Sequence, residues 1–221
     1  MVGRGRKGRH ARRNKLDATP PWEETPKEAD PTTEGPWDIA DAPADELPRV
    51  DLGTLRVPAL PDVDVRFEVS AEGLVVAVTL AHGGSELQIG AFAAPRTAGI
   101  WDEVRREILG SLGNQGGTGQ EVRGVFGTEL TGRVPVQGGL QQARFVGVDG
   151  PRWFLRGLFV GPAATDAGRA APLEDAFRKI VVVRGGDPMP VRDPLPMQLP
   201  RDLAEQAAKH AANQQPEPPA P

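Results

Sequence analysis

The chain has 221 residues, a net charge of −4, and neither cysteine nor tyrosine. Those absences exclude disulfides, thiolate metal sites and tyrosine acid–base chemistry. No apolar run approaches the roughly 18 residues of a membrane span, and the basic start has no apolar segment behind it, so a cytoplasmic protein without a secretory signal is expected.

Charge is unevenly distributed. Residues 1–16 hold seven cations, Arg4, Arg6, Lys7, Arg9, Arg12, Arg13 and Lys15, and no acid. Residues 17–51 hold eleven acids against Lys27 and Arg49. Residues 52–186 hold fourteen of each sign, so the expected folded part has no bulk bias toward nucleic acid or membrane. The reading is therefore a leader over 1–49, a domain over 50–186 and a tail over 187–221.

In the leader, the basic arm is either a solvated terminus or a phosphate-backbone ligand that releases counterions on binding. Seven prolines between Pro20 and Pro48 and the surrounding acids read as a linker that cannot offset its ordering entropy. Trp22 and Trp37 interrupt it as candidate anchors. Beyond a short strand near 52–57, Val63, Val65, Phe67 and Val69 alternate with charged residues, a half-buried strand. Residues 74–81 form a β-branched run expected to be covered on both faces. A turn at 82–85 and a returning strand over 86–93 follow.

After Pro95 the period changes. Ile100, Trp101, Val104, Ile108, Leu109 and Leu112 form a helical stripe, with acids early and Gly113 as the stop. Residues 114–119 form a glycine-rich connector without the Gly-Lys-Ser/Thr of a phosphate loop. Residues 121–136 read as a glycine-interrupted strand. The clearest stretch is 143–161, two apolar runs around Asp149-Gly150, read as a hairpin turn. On its second run Trp153, Leu155, Gly157 and Phe159 share one face, while Arg152, Phe154, Arg156 and Leu158 share the other. Residues 162–171 read as a loop. Pro172 opens a second helix with Leu173, Ala176, Phe177, Ile180 and Val181 as its stripe and Gly185-Gly186 as its end. The prolines after Asp187 predict an extended arm, then a short helix over 201–212.

Chemistry is sparse. Of the histidines His10, His82 and His210, only His82 falls in the expected domain, which excludes a multi-histidine metal site there. Ser85 beside His82 lacks the context of a nucleophile and reads as a turn residue. The least ordinary constellation is Arg144, Arg152 and Arg156 with Trp153. If Arg144 aligns across the hairpin, the three guanidiniums would form an anion or carboxylate site beside an aromatic. The competing reading is arginines whose stems cover the sheet and whose heads pair with acids.

At GVDGPRWFLRG (147–157), EVRGVFGTEL (121–130) and IWDEVRREI (100–108), the chain resembles an uncharacterised actinobacterial family, a domain of unknown function, over about residues 45–200. That resemblance implies no activity. The element order is also similar to the PsbP/Mog1-like sandwich fold, whose members are mostly non-enzymatic binding or assembly proteins. The expected fold is α+β, an antiparallel sheet of about six or seven strands with two main helices packed on it. The expected function is a non-catalytic module binding a protein partner, with no cofactor and no metal. Nucleic-acid association through the basic arm is the alternative, and an enzyme with an unfamiliar site the third reading.

Overall fold

The structure is a computed structural model and describes residues 34–70, 74–97, 99–200 and 202–205. The basic arm and Trp22 lie outside the described residues, as does all but 202–205 of the expected C-terminal helix; those four residues are helical.

The alternating pattern yields β4 (Asp64–Val69), β5 (Leu74–His82) and β6 (Ser85–Ala93), preceded by β1 (Trp37–Asp38), β2 (Arg49–Asp51) and β3 (Leu55–Pro58). Helix α1 spans Trp101–Asn114. Then come β7 (Thr118–Gly124), β8 (Gly127–Val136), β9 (Gly139–Gly150), β10 (Trp153–Val160), a 3-10 turn (Gly161–Ala164), α2 (Ala167–Arg178), β11 (Val181–Val182) and β12 (Met197–Gln198). The architecture is α+β. The larger sheet has eight strands, in the order β12-β5-β6-β10-β9-β8-β7, with β4 also on β5. A four-stranded sheet, β1-β11-β3-β2, lies apart; its β1–β11 pair is parallel. The strand count thus exceeds the expected six or seven.

The two faces of the large sheet are covered in staggered fashion. On one face α2 and the small sheet bury Val78, Leu80, Leu87, Ile89, Leu155 and Phe159 against Leu55, Leu173 and Phe177. On the other, α1 places Ile100, Trp101 and Leu112 against Leu130, Phe145 and Phe154. The two open quadrants are the α2-side face over β7–β9 and the α1-side face over β4–β6.

Several expectations are corrected. The β9–β10 turn is Pro151-Arg152, not Asp149-Gly150, because Gly150 pairs with Trp153. Proline cannot take a positive φ, so the turn's positive φ (65°) falls on Arg152. Residues 121–136 are not one strand; β7 and β8 pair through a turn at Val125-Phe126, and β7 takes Thr118 and Gly119 from the expected glycine loop. Strand β5 is not covered on both faces. Its register slips against β4 between Glu68 and Val69, and Leu74 and Val76 stand exposed. Helix α2 starts five residues before Pro172, capped by the Asp166 side chain on the Arg169 N–H, and stops at Arg178; Val181 leaves the helix to pair in β11.

The ends of the fold also differ. In the expected leader, Trp37 is half-buried in β1, and its N–H donates to the Ile180 carbonyl. In the expected tail, Leu195 and Met197 are core residues, and Met197 pairs with Val75.

Candidate functional site

The sheet face under α2 is apolar where the helix covers it. It turns polar where the sheet runs on past the helix, over β7, β8 and β9. There it floors a groove of about 600 Å³, whose walls include Gln120, Thr131, Arg133, Gln142 and Thr165. At its base lie three buried charges, Arg144, Glu129 and Glu174. Arg144 Nε donates to Glu129 Oε2 at 2.6 Å, Nη2 to Oε1 at 3.3 Å, and Nη1 to Glu174 Oε1 at 2.6 Å. The Phe126 N–H donates to Glu129 Oε1 at 2.9 Å, and the guanidinium lies 4.9 Å from the Phe159 ring centre. Burial works against the Arg144 charge, but the hydrogen bonds and charges of Glu129 and Glu174 outweigh it and raise its pKa. Strand register makes this cluster: Glu129 opposes Val122, and Arg144 opposes both Thr131 and Phe159, all on one face.

The arginine constellation expected from the sequence does not converge. Arg144 opposes Phe159, so it shares the Trp153 face, while Arg156 opposes Gly147 and projects from the other. Arg152, in the turn, donates to the Gly186 and Asp187 carbonyls at 3.3 Å. Trp153 is no exposed platform: it is 2% exposed, and its Nε1 donates to Asp38 Oδ2 at 2.8 Å. Sequence reasoning missed Glu129 and Glu174. Glu174 follows Leu173 directly in the α2 stripe, which was the one signal available; Glu129, between Thr128 and Leu130, carried none.

Arg156 differs from the other two. It is half-buried, with its guanidinium 5.3 Å from the Phe92 ring centre, and burial alone lowers its pKa.

Asp149, expected in a turn, instead caps α1 from β9. Its Oδ1 accepts the Ile100 N–H at 2.8 Å and its Oδ2 the Trp101 N–H at 3.2 Å. Burial pushes its carboxyl pKa up, against the two N–H donors that pull it down, with the Asp102 charge adding to the rise. At the second hollow, of about 320 Å³, His82 Nδ1 contacts the Asp62 carbonyl, while the buried Ser85 hydroxyl accepts the Ala163 N–H. Ser85 is thereby a structural acceptor under the 3-10 turn. Among the described residues no group of three or more His, Asp or Glu is placed to hold a metal ion.

Residues 35–206 match the family described as "Protein of unknown function (DUF3710)". The chain belongs to that family. No curated protein and no solved structure matches it. The match to this domain of unknown function begins just before β1 and runs past β12, so it takes in both segments that extend the fold beyond 50–186. Among the described residues no helix is long and apolar enough to cross a membrane.

Proposed function

We propose that this DUF3710 chain is a non-catalytic, cytoplasmic interaction module that receives a segment of a protein partner in the groove over β7–β9. One observation carries the reading: the groove's two buried carboxylates are both engaged by Arg144. A general acid or base must present its carboxyl to a substrate. These two are held on one guanidinium and form a rigid, charge-paired floor. The walls, in contrast, present amide, hydroxyl and guanidinium groups suited to hydrogen-bonding a polar chain, and among the described residues β7 pairs only with β8, which leaves its outer edge open to a further strand.

The test uses the tagged full chain and a variant with Gln142→Trp, an exposed groove residue. Affinity capture from its own cells, with a photo-crosslinker at position 133, is expected to retain a defined protein that the blocked variant loses. Equal capture by both, with no crosslink, would refute the groove. The seven cations of residues 1–16 support a second reading, nucleic-acid association through Arg4, Arg6, Lys7, Arg9, Arg12 and Arg13. Binding that weakens steeply with salt and vanishes on deleting those residues is its signature.

A further inference from the structure

The α1-side face over β4, β5 and β6 is the other open quadrant, and Arg156 stands at its border. The row of side chains across the sheet at this level is unusually small. Arg156 faces Gly90 on one neighbouring strand and Gly147 on the other, and Glu68 faces Ala77 on the pair beyond. A Cβ at Gly90 would meet the Phe92 ring at 2.8 Å and approach Arg156 Nη2 at 3.9 Å, so this glycine leaves the stack its room. Phe92 is in turn stacked on Phe154, ring centres 6.1 Å apart, which ties the platform to the α1 core.

Three described arginines on this side of the sheet are engaged by acids. Arg66 pairs with Glu86, Arg105 with Asp102 and Glu121, and Arg192 with Glu103 and Glu107. Arg156 makes no ion pair with any described residue; its contact is the Phe92 ring. A half-buried guanidinium carries a desolvation cost that a ring face offsets only in part. A charged partner for it would, on electrostatic grounds, come from outside the described fold.

We propose that Arg156, stacked on Phe92, is the anchor of a docking surface for an acidic peptide segment, one carboxylate of which lies on the guanidinium edge while apolar neighbours contact Phe92 and Leu158. Charge complementarity selects that occupant. A single uncompensated cation beside aromatic surface suits one carboxylate. A nucleic-acid strand needs a run of cations along its backbone, and here Glu68 and the Arg66–Glu86 pair occupy the adjoining strands. This surface is separate from the groove over β7–β9, and the inference stands whether or not that groove is occupied.

The experiment follows the full chain by NMR during titration with a short synthetic peptide alternating Glu with Leu. Its counterpart with Gln in place of Glu, and a single-stranded oligonucleotide, are the controls. Expected are shifts at the Arg156 side chain, the Phe92 ring and the Leu158 methyls with the Glu peptide alone. Arg156→Gln should weaken its binding by roughly tenfold or more, and Arg156→Lys by less, since a single ammonium loses the planar fork. Arg169→Gln, an exposed position on α2, should leave it unchanged. No shift with the Glu peptide, shifts that persist in Arg156→Gln, equal shifts with the Gln peptide, or a stronger response to the oligonucleotide would each overturn the assignment.

Discussion

Replacing Arg144 by methionine tests whether the buried ion cluster holds the groove floor. Methionine keeps much of the apolar stem over Phe159 and removes only the charge and its donors. What remains is Glu129 at 1% exposure and Glu174 at 7%, without their shared counter-ion. Removing one member of a buried pair costs about 3–5 kcal/mol, because the desolvated partner is left uncompensated. Three donated bonds are lost together here, two of them at 2.6 Å, so the upper part of that range applies. For a domain of this size the loss lowers the melting temperature by roughly 10 °C. Urea unfolding monitored through Trp101 and Trp153 measures it directly. A triple variant, Arg144→Met with Glu129→Gln and Glu174→Leu, should regain most of the loss, since neutral side chains of similar volume avoid the cost of an unpaired buried charge. The amide introduced by Glu129→Gln retains an acceptor for the Phe126 N–H. A single variant that loses less than about 1 kcal/mol, or a triple variant no better than the single, would refute the account, since the floor would then be hydrated rather than held by the pair.

Two further outcomes follow from the α1 side of the sheet. Asp149→Asn removes one of the two acceptors at the α1 N-terminus and should cost about 1 kcal/mol near neutral pH, the net contribution of one hydrogen bond. The folded carboxyl has its pKa raised, so the folded state holds its proton more tightly than the unfolded chain. The native protein's stability from this group therefore rises as pH falls through the raised pKa toward 3.8, and the stability difference from Asp149→Asn, measured by urea unfolding across that range, should follow the same slope; a flat difference would contradict it. Gly147→Ala drives a Cβ into the Trp101 ring and to 2.8 Å from Phe154, so α1 must lift from β9. A thermal melt should show a loss of about 1–3 kcal/mol with a shift in Trp101 emission; an unchanged melt would show that the helix is not seated as described.

The α+β class, the antiparallel strands over 64–93, the amphipathic α1 and the core placement of Trp101 and Phe177 were all legible along the chain. Strand alternation and helical period are local signals, each set by burial of one face. Which faces meet is a different matter. An even-length loop between β9 and β10 puts Arg144 opposite an odd-numbered residue, on the Trp153 face; an odd-length loop would have put it beside Arg156. Pro151 left that parity open in the sequence, and the two-residue turn decides it. The same register brings Glu129 to Arg144 from fifteen residues away and Glu174 from thirty, separations across which no sequence period operates. Asp149 beside Gly150 has turn chemistry locally, yet its carboxylate caps a helix that ended 35 residues earlier. Proline content marked 187–200 as an extended arm; a turn at Val191-Arg192 bends it, and proline content alone does not separate a free arm from one that lays Leu195 and Met197 into the core. Local composition thus determined what each segment would become, while long-range pairing decided which charges share a face, because contacts between distant segments depend on turn lengths and register rather than on the residues flanking either partner.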